Sequence, residues 1–128
     1  MPFGRWRRRE QSATGFGRAV EAAVARWLER DGVEVLARNH RNAGGEIDLV
    51  VRDGDTLAFV EVKARSRADH GGALAAVDRE KRRRLQRAAT VYLAGCGWEG
   101  PCRFDVVAVE RVDGEWRFRC YENAFEVE

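Results

Sequence analysis

The alternation of apolar and polar positions changes period along this chain, and each change marks an element. From Ala13 to Arg30 the apolar residues Phe16, Ala19, Val20, Ala23, Val24, Trp27 and Leu28 fall at helical spacing. Asp31-Gly32 stops that helix, with Gly32 as its C-terminal residue. Val33 to Arg38 predicts a first strand, Asn39 to Gly45 a polar turn, and Glu46 to Arg52 a second strand. Asp53-Gly54-Asp55 is a hairpin signal leading into a third strand, Thr56 to Ala64. Arg65 to Gly72 reads as a charged loop. Ala73 to Ala94 reads as a second helix, with Leu74, Val77, Leu85, Ala88, Ala89, Tyr92 and Leu93 toward the core. Arg103 to Val109 and Glu115 to Tyr121 are further strands, joined through the turn Val112-Asp113-Gly114. Helix, three strands, helix, two strands predicts an α/β fold, a mixed five-stranded sheet flanked by helices.

Two of the strands carry acids where apolar residues are expected. Asp48 lies among Ile47, Leu49, Val50 and Val51, and Glu61 lies among Leu57, Ala58, Phe59, Val60 and Val62. A buried charge costs several kcal/mol, on the order of the penalty for unpaired ions, unless something compensates it. Strand alternation puts Glu61 and Lys63 on one face with Phe59, and Glu46 and Asp48 on one face with Val50. If the two strands pair through the hairpin, Asp48 comes beside Glu61. A hard divalent cation, Mg²⁺ or Mn²⁺, would relieve their repulsion. An Asp followed on the next strand by acidic-x-Lys is the layout of a Mg²⁺-dependent nuclease site. Lys63 would orient the attacking water or stabilise transition-state charge. Glu21, at the edge of the first helix's apolar stripe, is the natural third carboxylate. The metal set would be Asp48, Glu61 and Glu21. The competing reading is an ion-pair ladder in which Lys63 and an arginine such as Arg65 or Arg103 neutralise the acids. Glu46 serves equally as a further ligand or as a partner of Arg41, and Arg103 with Asp105 reads as a structural pair.

Composition adds limits. A chain of 128 residues, 45% hydrophobic and 34% charged, is most simply one domain over residues 13–128 behind a basic flexible arm, residues 1–12. No apolar run approaches the roughly 20 residues of a membrane span, and no secretory signal opens the chain, so a cytoplasmic location is expected. The cysteines Cys96, Cys102 and Cys120 lack zinc-ligand spacing, and His40 has no second histidine at metal spacing. No glycine-rich phosphate cradle suggests nucleotide hydrolysis. The net charge of +2 is unevenly spread. Arg5, Arg7, Arg8 and Arg9 crowd the arm; Arg79, Lys81, Arg82, Arg83, Arg84 and Arg87 crowd the second helix; the segment after Asp105 is acidic. Arg65, Lys81, Arg82, Arg83 and Arg84 are therefore candidate contacts to a nucleic-acid backbone, against the alternative of solvated surface charge.

The run Gly17-Arg18-Ala19-Val20-Glu21-Ala22-Ala23, then Arg38-Asn39, Gly45-Glu46-Ile47-Asp48-Leu49-Val50, Phe59-Val60-Glu61-Val62-Lys63-Ala64-Arg65, Lys81, Arg103-Phe104-Asp105-Val106-Val107 and Asn123-Ala124-Phe125 resembles the bacterial YraN family. That family is grouped with restriction-endonuclease-like proteins of the PD-(D/E)XK type and is similar to archaeal Holliday junction resolvases. The resemblance implies a restriction-endonuclease-like sheet. It also implies that Glu21, Asp48, Glu61 and Lys63 stand at the family's active-site positions, where His70 departs from the usual aromatic in the following loop. A metal-dependent DNA endonuclease acting on branched or otherwise irregular DNA is the expectation, and a homodimer is the partner that resolvase chemistry would add. The alternatives are a nucleic-acid-binding module without turnover, in a repair or DNA-processing complex, and an interaction protein whose charged faces dock other proteins.

Overall fold

A computed structural model describes residues 13–65 and 79–126. The arm at 1–12, Arg67, His70, and Leu74 and Val77 of the expected second helix lie outside the described residues, as do the side chains of residues 13–18, Arg65 and Arg111. The elements are α1 (Ala13–Arg30), β1 (Glu34–Asn42), β2 (Gly45–Asp53), β3 (Thr56–Arg65), α2 (Arg79–Cys96), β4 (Cys102–Val112) and β5 (Glu115–Tyr121). This is the expected α/β order. The five strands form one mixed sheet in the order β1-β2-β3-β4-β5. Only β3 and β4 run parallel, because the chain between them crosses over through α2. The other neighbours are antiparallel and joined by two-residue turns or the tip of a hairpin. At the β4–β5 turn Asp113 and Gly114 take φ of 51° and 80°, the paired left-handed residues that suit the sheet's twist.

Each face of the sheet has its own core. On one side Val20, Val24, Ala25 and Leu28 of α1 pack on Leu49, Val51, Ala58, Val60, Val107 and Val109. On the other, Leu85, Ala88 and Ala89 of α2 pack with Ile47, Val50, Leu57, Phe59, Phe104 and Val106. Phe125, just past β5, closes this second core by stacking on Phe104 at 5.1 Å. Strands β3 and β4 are covered on both faces, which is why they read as nearly unbroken apolar runs. Among the described residues no helix is long and apolar enough to cross a membrane.

Two departures from the sequence reading shape the rest. First, β1 continues to Asn42, with Arg41 paired to Glu46 and Asn42 to Gly45, so the turn expected over Asn39–Gly45 shrinks to Ala43-Gly44. An edge strand is wetted along its length, so its polar residues imitate a loop. Second, β2 does not alternate cleanly. Ile47 and Val50 lie in the α2-side core, whereas Leu49 and Val51 lie in the α1-side core. Alternation therefore breaks at Asp48, opposite Asn39 on β1, whose φ is 52°. Asp48 sits at this break rather than squarely on the face of Val50.

The sheet forks at the same place. Pairing of β2 with β3 runs from Asp53↔Thr56 to Leu49↔Val60 and goes no further. Beyond it β2 stays with β1 as far as Gly45, while β3 stays with β4 as far as Arg65. Asp48 is on one prong and Glu61 on the other.

Candidate functional site

The mouth of the fork is bridged by a side chain. Asp48 Oδ2 accepts the backbone N–H of Val62 at 2.8 Å, taking the place of a ladder bond that the diverging strands cannot make. This holds the Asp48 carboxylate against β3 next to Glu61. Glu61 follows Phe59 by two residues and so faces α2. There its Oε2 receives the ammonium of Lys81 at 2.8 Å. Glu21 arrives from the opposite side, carried by α1 beside the buried Val20 and Val24. The fork is what allows carboxylates from the two sides of the sheet to sense one another.

Glu21 and Glu61 are buried, 7% and 6% exposed. Burial raises the Glu21 carboxyl to about 9, reinforced by the charge of Asp48 and a shared hydrogen bond with it, then by Glu61 and Glu46. Burial also raises Glu61, to about 7, with Asp48 adding to the effect and Lys81 and Lys63 opposing it. Burial alone would lower the Lys81 ammonium, but its bond to Glu61 and the negative field of Glu61 more than offset this, and it is raised. Lys63, half-buried on the same face of β3, lowers Glu61 by its charge and shares a side-chain hydrogen bond with Lys81. An open cavity of about 390 Å³ lies over part of this cluster, lined by Gly45, Glu46, Asp48, Glu61, Lys81 and Arg84.

The hard oxygen donors of these three acids are of the type that a Mg²⁺-like cation takes. One atom supports that fit directly. Glu21 Oε1 is buried with no hydrogen-bond partner, an arrangement that costs about 1–3 kcal/mol for a neutral polar group unless a ligand completes it. Among the described residues, however, no three acidic, histidine or cysteine side chains already close around one point as a ligand set. Lys81 occupies the Glu61 oxygen instead.

The remaining candidates separate clearly. Glu46 pairs with Arg41 at 3.4 Å while also lining the cavity. Arg84 lines the cavity one helical turn from Lys81. Arg83 lies 4.0 Å from Glu80 on the exposed side of α2. Arg82 lies over the Phe125 ring, 5.4 Å from its centre, and does not line the cavity. The Arg65 side chain lies outside the described residues. Arg103 is committed elsewhere: it bonds Asp105 at 3.0 Å and Asp53 at 3.1 Å, with Glu122 at 3.7 Å. It therefore forms the structural pair expected with Asp105 and does not neutralise Asp48 or Glu61, as the ladder reading had allowed. His40 bonds the Asn42 amide at 3.0 Å and meets Tyr92 edge to face, an ordinary packing role. The Cys120 thiol is pushed up to about 11, chiefly by burial, which makes it a poor nucleophile.

Two residues that position the site were missed from sequence. Asn42 Nδ2 donates to Ala88 O at 2.9 Å, and its Oδ1 accepts the Gly44 N–H at 2.8 Å. A Cβ on Gly44 would stand 2.5 Å from Arg87 O. The β1–β2 tip is thus pressed onto the backbone of α2, which sets how far Lys81 and Arg84 stand from Asp48 and Glu61. The Asn42…Gly44-Gly45 spacing was the available signal, and it was read only as a turn.

Comparison with known proteins places the chain in one group. The profile of the uncharacterised protein family UPF0102 matches residues 20–109, a span that includes Glu21, Asp48, Glu61, Lys63 and Lys81. A UPF0102 protein of Dechloromonas aromatica is 50% identical over 105 residues, 82% of this chain and 87% of its own. One from Symbiobacterium thermophilum is 50% identical over 111 residues, 85% and 94% of the two chains. One from Pseudomonas putida is 45% identical over 118 residues, 90% and 95%. With the profile covering most of the chain and relatives this similar over nearly their full length, the chain belongs to the uncharacterised protein family UPF0102, the YraN family.

Proposed function

We propose that this chain is a metal-dependent endonuclease that hydrolyses DNA phosphodiester bonds, with branched or otherwise irregular DNA as its substrate. The observation that carries the reading is the meeting of Glu21, Asp48 and Glu61 at the sheet fork, with Glu21 Oε1 buried and unpartnered and Lys63 alongside. The choice of DNA rests on the resemblance to resolvase-like nucleases and on the basic residues at the cavity rim.

Asp48 and Glu61 would hold a Mg²⁺ or Mn²⁺ ion, with Glu21 completing the set directly or through water. Such an ion supplies positive charge against phosphate oxygens and makes water more acidic. The protein's own groups do the rest. The Val62 N–H fixes the Asp48 carboxylate in one orientation. Lys63, on the face shared with Glu61, orients the attacking water or meets the negative charge that builds on phosphorus. Arg84 grips a neighbouring phosphate at the rim of the cavity. Matched cuts in a four-way junction would require a second copy of the chain.

The test is cleavage of labelled four-way junction, flap, single-stranded and duplex DNA in Mg²⁺ and in Mn²⁺, with Asp48→Asn and Lys63→Met beside the wild type. Asp48→Asn keeps an acceptor for the Val62 N–H, so its loss of activity is not a loss of fold. Metal-dependent cleavage should fall by about 100-fold or more in each variant. Salt-sensitive binding with no cleavage in either metal would replace the nuclease with a non-catalytic nucleic-acid-binding module, the reading favoured by the unclosed ligand set. Absence of DNA affinity at moderate salt would point to a protein-docking role.

A further inference from the structure

Resting on the metal-dependent reading above, we infer that Lys81 is a tethered counter-ion: it fills the carboxylate site by bonding Glu61, is displaced when a divalent ion binds, and then turns its ammonium to a substrate phosphate. The geometry supplies the starting point of the exchange and the space for it. Lys81 Nζ lies 2.8 Å from Glu61 Oε2, on a side chain 35% exposed against 8% for Glu61, so its charge is at the site while its stem reaches the solvent edge. It lines the same open cavity as Asp48, Glu61 and Arg84, so a displaced ammonium has space beside the site. It comes from α2 rather than from the sheet, so its movement disturbs no strand pairing. A lysine stem carries its compact cation through several rotatable bonds, which suits an exchange between two anionic partners. A divalent cation and an ammonium compete for one Glu61 oxygen, and the loser is left beside the incoming phosphate. Lys63 stands next to this pair on β3, with its backbone held in the ladder opposite Ala108 and its side chain hydrogen-bonded to Lys81.

Calorimetric titration of the full chain with Mn²⁺ alone tests the exchange, comparing wild type, Lys81→Met, Lys81→Gln and Arg84→Met. Removing the competitor should tighten Mn²⁺ binding by roughly tenfold in both Lys81 variants, the factor expected for releasing one charge-assisted hydrogen bond. Arg84→Met removes a cation from the same cavity without removing that bond, and should change affinity by less than about threefold, an amount typical of a screened surface charge. Equal effects of the Lys81 and Arg84 variants would mean simple field repulsion and would overturn the inference. Unchanged or weaker Mn²⁺ binding in folded Lys81 variants would also overturn it while leaving the metal site standing. Absence of Mn²⁺ binding in every variant and in wild type would remove the metal-dependent reading and this inference together. The hand-over is read separately from the salt dependence of four-way junction binding. In Ca²⁺, Lys81→Met should lower the log–log salt slope by about 0.9, one phosphate contact, and without divalent ion the slope should match the wild type. A slope lowered equally in both conditions would make Lys81 an ordinary backbone contact and refute the exchange.

Discussion

Glu21 and Glu61 show how a single buried carboxyl becomes a functional signal. Both are raised well above the usual carboxylate range, first by burial and then by Asp48. The folded protein therefore holds protons that the unfolded chain has already released. Folded-state values above the unfolded ones mean that the stabilising contribution is complete below about pH 4.5 and is lost as pH rises through about 7 and about 9. The metal-free protein should accordingly show a falling Tm between pH 5 and 9. Glu21→Gln together with Glu61→Gln should flatten that slope, and on the proposed metal-dependent reading saturating Mn²⁺ should raise Tm most at the alkaline end. Scanning calorimetry across the pH series checks all three. A flat wild-type profile would mean that neither group is perturbed in solution. Both acids were legible as candidates because they interrupt apolar runs. Their protonation was not legible, because it depends on the dryness of the fork.

At the next level, the β1–β2 hairpin works as a spacer for α2. Gly44→Ala would drive a methyl group into the Arg87 carbonyl, a contact of 2.5 Å that cannot persist. We expect a loss of about 1–3 kcal/mol, the cost of overpacking, measurable by urea denaturation. Because the displaced helix carries Lys81 and Arg84, the proposed nuclease reading adds that cleavage should fall further than stability predicts. At the far end of the sheet Arg103 ties β2, β4 and the segment after β5 together through Asp53, Asp105 and Glu122. Arg103→Met strands the Asp105 carboxylate, which is 1% exposed, and should cost about 3–5 kcal/mol. No direct effect on metal binding is expected from it, and Mn²⁺ titration of the folded fraction separates the two roles. The hairpin turns at Asp53–Thr56 and Val112–Glu115 were readable from their glycines and aspartates. The extension of β1 was not, because an exposed edge strand and a loop share the same polar composition.

For the molecule as a whole, the charge distribution matters more than the net charge of +2. Four basic residues of α2 divide by direction: Lys81 and Arg84 at the cavity, Arg82 over Phe125, Arg83 outward beside Glu80. If DNA lies across the cavity, Arg84→Met should lower the log–log salt slope by about 0.9, while Arg82→Met should leave it unchanged and reduce stability through its lost packing on Phe125. Equal slopes for both variants would show that the helix meets DNA through its outer side instead.

Periodicity and turn chemistry in the amino-acid sequence were sufficient for the order of elements, the mixed sheet and the acids worth attention. These depend on neighbours a few residues away, or on one strand alternating its side chains. Three features required the folded chain. The fork that lets Glu21 approach Asp48 and Glu61 from the other side of the sheet arises where two ladders diverge. The broken alternation at Asp48 falls where β2 passes the positive-φ Asn39 of β1. The seat of Lys81 on Glu61 joins residues 20 apart in the chain, and depends on how closely α2 is drawn onto Gly44. Each is set by long-range packing, which no local pattern encodes.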